Sequence, residues 1–124
     1  MGARVVIAAG EPYLRLLIWH SIADLEDEGV GIIVTEDGPR ALDAVAREAP
    51  AVLLLDAAMP GMSGFQVCAR LRADPALRQP HIILLIDRGQ ISDHRRGIDA
   101  GADRCLTRPF NPEDLLDAVR ACLP

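Results

Sequence analysis

The sequence predicts an α/β domain in which five parallel strands, ordered 2-1-3-4-5, are wound on both faces by helices. Three features predict it. Short apolar runs alternate with segments whose apolar residues recur at helical spacing, and each strand-like run leads into a helix-like one. The runs ending at Asp56 and Asp87 are apolar without alternation, as in strands covered on both faces. The connections are short, so the strands can be buried only as a parallel sheet between two helical layers.

Arg4 to Ala9 reads as the first buried strand, ended by Gly10-Glu11-Pro12, with proline where a first helical turn tolerates it. The following helix carries Leu14, Leu17, Ile18, Ile22 and Leu25 on one stripe, and Gly29 suits a left-handed cap. Gly31 to Thr35 is the second strand, and Asp37-Gly38-Pro39 opens a helix with Leu42, Val45, Ala46 and Ala49 on its inner face. Ala51 to Asp56 is the third strand, and the loop after it leads to a short helix with Phe65, Cys68 and Leu71 inward, broken at Asp74-Pro75. The fourth strand, His81 to Ile86, ends in a second carboxylate, Asp87, and a polar loop. A helix over Ser92 to Ala100 is capped by Gly101, and a brief strand spans Arg104 to Thr107. Asn111-Pro112-Glu113 then starts a last helix bearing Leu115, Leu116, Val119 and Leu123.

One domain over 1–124 is expected, with room for an output domain downstream; 50% hydrophobic and 25% charged residues suit a globular core. The start of the chain shows neither a signal-peptide core nor a membrane span, so a cytoplasmic protein without membrane contact is expected. Cys68, Cys105 and Cys122 lack metal or redox spacing and read as buried free thiols. A net charge of −5 without a basic block disfavours direct nucleic-acid binding. All thirteen basic residues are arginine, so no lysine is available to any site. His20, His81 and His94 lack ligand spacing, while Trp19 lies off the inner stripe and either marks a contact or covers the core edge.

The candidate reactive group is Asp56. It stands at the C-terminal edge of a central strand, where ligands gather in open α/β sheets, although an aspartate there can also be only a cap. Around it runs Leu55-Asp56-Ala57-Ala58-Met59-Pro60-Gly61-Met62-Ser63-Gly64, followed by Leu71-Arg72-Ala73-Asp74-Pro75 and Gly101-Ala102-Asp103-Arg104-Cys105-Leu106-Thr107-Arg108-Pro109-Phe110. With Glu11-Pro12, Asp37-Gly38 and Ala41-Leu42, these segments make nearly the whole chain similar to the receiver domains of bacterial two-component response regulators.

The resemblance implies a flavodoxin-like receiver fold in a phosphorelay, with Asp56 at the phosphoacceptor position and a histidine kinase as donor. It also implies helpers: an acid pair that holds Mg²⁺, a lysine that pairs with the phosphoryl oxygens, and a Thr or Ser that hydrogen-bonds the product. At those positions stand Ala9 and Gly10, Arg108, and Leu85, while Cys105 replaces a switch aromatic. Glu11 belongs to the family pattern and is no evident replacement for the pair. Mg²⁺ would be left with Asp56 and a main-chain carbonyl near Ala58, so loss of the metal is expected, with no other cofactor or metal site. Asp87 reads as a solvated residue at the strand end rather than a ligand. Arg108 either pairs with Asp56 through two prongs or points outward on a packed stem.

The expectation is a degenerate receiver, not an enzyme, that signals by phosphorylation-independent protein contact. The alternative is a functional receiver still phosphorylated on Asp56 by a histidine kinase. Partners would be that kinase or other signalling proteins, with a homodimer possible. The interaction face would draw on Arg95, Arg96, Asp99, Asp103, Arg104, Asp114, Asp117 and Arg120, whose opposite charges could pair across a two-fold axis.

Overall fold

The computed structural model describes residues 2–87 and 91–124. β1 (Arg4–Ala8), β2 (Gly31–Thr35), β3 (Val52–Asp56), β4 (His81–Asp87) and β5 (Arg104–Arg108) form one parallel sheet in the expected order, β2-β1-β3-β4-β5. Between them run α1 (Pro12–Ile22), α2 (Gly38–Glu48), α3 (Gly64–Arg72), α4 (Ile91–Ala100) and, after β5, α5 (Pro112–Cys122). The polar loop expected after β4 falls at 88–90, outside the described residues.

The two-residue period of each strand divides the core. Val5, Ile7, Val52, Leu54, Ile83 and Leu85 pack with α1 and α5, whereas Val6, Ala8, Leu53, Leu55, Ile82 and Leu84 pack with α2 and α3. β3 is buried along its whole length, which explains its lack of alternation. Each fully buried Leu or Ile contributes about 1.5–3 kcal/mol by leaving water. Edge strand β2 is only half buried.

Several boundaries and stripes differ from the sequence expectation. β1 ends at Ala8, β3 begins at Val52, β4 and β5 extend to Asp87 and Arg108, and α4 begins at Ile91. The first helix does not run to Gly29; it tightens into a 3-10 segment at Ala23–Glu28, whose left-handed cap is Gly29 at φ 87°. Leu14, Ile18, Ile22 and Leu25 are buried, but Leu17 is 38% exposed, because the surface of α1 is apolar well beyond its seam. On α2 the inward face is Gly38, Ala41, Ala44 and Val45; Leu42 is half-buried, while Ala46 and Ala49 are exposed. Leu116 and Leu123 are half-buried at the margin of the α5 side.

Local chemistry fixes the helix starts. Asp37 and Asn111 accept from Arg40 N and Glu113 N, and Ser63 with Gln66 forms a reciprocal capping box at α3. Arg72 ties the end of α3 to the β4–β5 side by donating to Gly101 O, Pro80 O and Asp103, and Asp103 also accepts from Ile82 N at 2.8 Å. All three cysteines are free, but only Cys68 is buried, Cys105 and Cys122 being half-buried against the core margins; burial pushes the Cys68 thiol up to about 11.

The turn after β3 needs a residue without a side chain. A Cβ at Gly64 would stand 2.3 Å from Asp56 O and 2.8 Å from Ala57 Cα, both main-chain atoms that cannot yield. Gly64→Ala should therefore lower stability by about 1–3 kcal/mol, the cost typical of overpacking. Urea unfolding would measure it, and an unchanged midpoint would contradict this close approach.

Candidate functional site

The site lies where β1, β3, β4 and β5 end on the same edge of the sheet. Asp56, the last residue of β3, is 2% exposed, and among the described residues it is the one charged side chain in the buried class. Its Oδ1 accepts from Ala58 N at 3.2 Å, an aspartate turn that starts the loop toward α3. Leu85 is the residue expected at the hydroxyl position. Leu85 pairs with Asp56 in the β3–β4 register, is fully buried, and packs with the α1 and α5 side.

At the end of β1, Ala9 is fully buried and Gly10 half-buried, and neither brings a carboxylate. What reaches this loop is a guanidinium. Arg15, one turn into α1, donates through Nη1 to Ala9 O at 2.9 Å and Gly10 O at 3.2 Å, and its Nη2 lies 3.8 Å from Glu36. The sequence reading missed Arg15. Its signal was a cation placed one to two turns after the loop on the helix that leaves it. Glu11 is exposed.

Arg108 ends β5 and turns inward, its side chain 22% exposed. It takes neither of the two arrangements expected of it. Nη2 lies 3.9 Å from Asp56 Oδ1, a single distant contact, while the same atom bonds Asp87 Oδ1 at 2.5 Å. Asp87, 56% exposed, is the main partner of Arg108. The Arg108 Nε is buried without a hydrogen-bond partner among the described residues. The peptide between Arg108 and Pro109 is cis.

Burial raises the Asp56 carboxyl above the ordinary carboxylate value; the Ala58 N–H and the Arg108 charge oppose this, and the charges of Asp87 and Glu11 add to it. The donor set suits a hard divalent cation poorly. It comprises the Asp56 carboxylate and nearby main-chain carbonyls, with the Asp87 carboxylate held by Arg108 and a second guanidinium on the loop. Among the described residues, no three His, Cys, Asp or Glu side chains gather as a metal site.

All eight residues expected to make an interaction face are exposed, and several are engaged within the chain. Arg95 pairs with Asp99 along α4 at 3.3 Å, and Arg96 lies 4.1 Å above the Phe65 ring. Asp103 is engaged by Arg72, and Arg120 grips Glu28 through two bonds of 2.7 and 2.6 Å. Arg104, Asp114 and Asp117 are exposed. His20, His81 and His94 are exposed, and Trp19 is half-buried against the core with its ring edge-on to His20.

The family profile described as the response regulator receiver domain matches residues 5–120. The transcriptional regulatory protein TcrA of Mycobacterium tuberculosis is 35% identical over 120 residues, covering 97% of this chain and 46% of TcrA. The response regulator PleD of Caulobacter vibrioides is 36% identical over 122 residues, covering 98% of this chain and 26% of PleD. The structure of the chemotaxis response regulator CheY4 of Vibrio cholerae aligns with a TM-score of 0.84 at 27% identity, covering 99% of this chain and 100% of that one. The chain spans half or less of the length of the two regulators. Among the described residues, no helix is long and apolar enough to cross a membrane.

Because burial is the largest influence on Asp56, its ionised form is disfavoured in the folded state. With the folded pKa raised, the contribution of this group is full below the unfolded value of 3.8 and is lost as pH rises through the folded pKa. Asp56→Asn, which cannot ionise, should melt a few degrees higher than the parent at pH 7, and the gain should shrink toward pH 4. Thermal melts at the two pH values test this; a variant less stable at pH 7 would show that the Arg108 contact outweighs burial.

Proposed function

This chain belongs to the response regulator receiver family, and from that premise we propose that it is a cytoplasmic receiver of degenerate type that signals by protein contact without phosphorylation of Asp56. As a receiver domain it takes part in two-component signalling. The observation that carries the finer reading is the pair of guanidinium groups at the site. Arg15 occupies the carbonyls of the β1 loop, and Arg108 stands 3.9 Å from Asp56 while bonded to Asp87.

Phosphoryl transfer to a carboxylate needs alignment of the acceptor and neutralisation of charge on the equatorial oxygens. Bound Mg²⁺ supplies much of that neutralisation in the family. The residues here fit the ion poorly, for want of the acid pair. Arg108 keeps a positive charge, but Asp87 competes for it through Nη2. Leu85 presents methyl groups where a hydroxyl would hydrogen-bond the product. Burial favours the protonated acid at Asp56, which is a poorer nucleophile. Each of these acts against acylphosphate formation and none acts against the surface of the domain. Histidine kinases or other signalling proteins are the partners this reading names.

Incubation with acetyl phosphate and Mg²⁺ should give no phosphoryl mass gain, and millimolar Mg²⁺ should leave the melting temperature unchanged, since a ligand of the native state must raise it. The combined variant Ala9→Asp, Gly10→Asp, Leu85→Thr and Arg108→Lys should recover labelling, provided its melt confirms folding; a Cβ at Gly10 meets Pro60 Cδ at 3.0 Å. Labelling of the parent protein that disappears in Asp56→Asn would falsify the phosphorylation-independent reading.

A further inference from the structure

β2 is an edge of the sheet: it pairs with β1, and among the described residues no strand lies beyond it. Gly31 N donates to Ala3 O at 2.9 Å and Thr35 O accepts from Ala9 N at 3.2 Å, so the ladder toward β1 uses Gly31, Ile33 and Thr35. By the two-residue period, the N–H and C=O groups of Ile32 and Val34 point away from the sheet. Edge strands are ordinarily blunted by charge, proline or a bulge. The opposite edge, β5, is bounded by Arg104 and Arg108 and followed by Pro109. β2 has none of these devices. From Gly29 to Thr35 the chain holds no charged residue and no proline, the register with β1 is unbroken, and Val34 is 45% exposed.

The edge is open to solvent. A groove of about 510 Å³ runs beside it, lined by Ile33, Val34 and Thr35 on the strand and by Arg40, Asp43 and Arg47 on α2, so α2 flanks the strand without capping it. Arg40 and Arg47 are held by Glu36, Asp37, Asp43 and Glu48 of the same chain, which leaves the groove without a dominant sign of charge. The strand matches itself. Two copies laid antiparallel about a two-fold axis through Ile33 set each Ile32 opposite the partner's Val34, and every outward N–H and C=O then finds an outward acceptor or donor. A slip of one residue would oppose outward groups to groups already bonded to β1. Ile32 packs on the α1 side and Ile33 on the α2 side. The joint therefore gathers Ile32 and Val34 of both copies into an apolar quartet on one face and sets Ile33 against the partner's Ile33 on the other. The flanking acids Glu28 and Glu36 fall opposite the partner's Gly38 and the partner's Val30, so no like charges are opposed along the strand.

We propose that this chain pairs with a second copy of itself through β2, joining two sheets edge to edge. The antiparallel joint turns the two Asp56 edges in opposite directions and leaves β4, β5 and α4, across the sheet from it, uncovered for other partners. The strand contact is smaller than the ~800 Å² per partner of a standard interface, so the dimer is reversible and forms at high protein concentration. Self-association of this kind does not depend on phosphorylation of Asp56.

Sedimentation velocity from micromolar to millimolar protein should show a reversible monomer–dimer equilibrium. Over the same range, amide hydrogen exchange read by NMR should slow at Ile32 and Val34, whereas Gly31 and Ile33, already bonded to β1, should change little. That measurement needs no variant. Val34→Lys sets two cations diagonally across the joint and should weaken the dimer by roughly tenfold or more. Leu16→Lys, the same change of charge at an exposed position of α1, should leave it unchanged. Because Val34 is exposed, Val34→Lys should melt with the parent in dilute solution. A chain that stays monomeric to millimolar concentration would overturn the proposal. So would a dimer whose Ile32 and Val34 amides exchange as fast as in dilute solution, or one that Val34→Lys leaves intact.

Discussion

Burying a carboxylate at the end of an all-apolar strand removes hydration that the surrounding protein must replace, and around Asp56 the replacement is partial. One N–H at 3.2 Å and one guanidinium at 3.9 Å stand in for water. The position itself follows from the sheet. β3 lies between β1 and β4 with helices on both faces, so its last residue is enclosed before any pocket chemistry is considered. The Asp56–Leu85 register and the sharp turn at Gly64 follow from the same packing.

Competition for Arg108 shapes the electrostatics of the site. A guanidinium has donors for two carboxylates, but here one nitrogen serves both, close to Asp87 and distant from Asp56. The more exposed acid holds the cation and the more buried one is left with less compensation, which agrees with the upward shift of Asp56. At the other end of the site, Arg15 satisfies the carbonyl oxygens of Ala9 and Gly10. The domain therefore organises its edge with its own cations.

Outside that edge, the surface separates into charged and apolar regions. On α4 and α5, several charges are used within the chain, and exposed pairs of this kind contribute little to stability. On α1, both faces of one helix are apolar, and the fold covers one of them.

The sequence by itself determined the five β-then-α units and the parallel order, because strand burial, helix period and turn residues are local and repeat along the chain. It also put Ala9, Gly10, Leu85 and Arg108 where the family resemblance implies an acid pair, a hydroxyl and a lysine, a reading of residue types that needs no geometry. It misjudged the inward stripe of α2 and the burial of Leu17, since an apolar residue beyond the seam reads the same in one dimension whether or not a neighbour covers it. Tertiary structure alone decided how the arginines are used. Arg15 to the β1 loop, Arg108 to Asp87, Arg72 to Asp103 and Arg120 to Glu28 are contacts over spans of 5 to 92 residues. A guanidinium on a long stem reaches several alternatives, and which acceptor it finds depends on where the sheet and helices place each one.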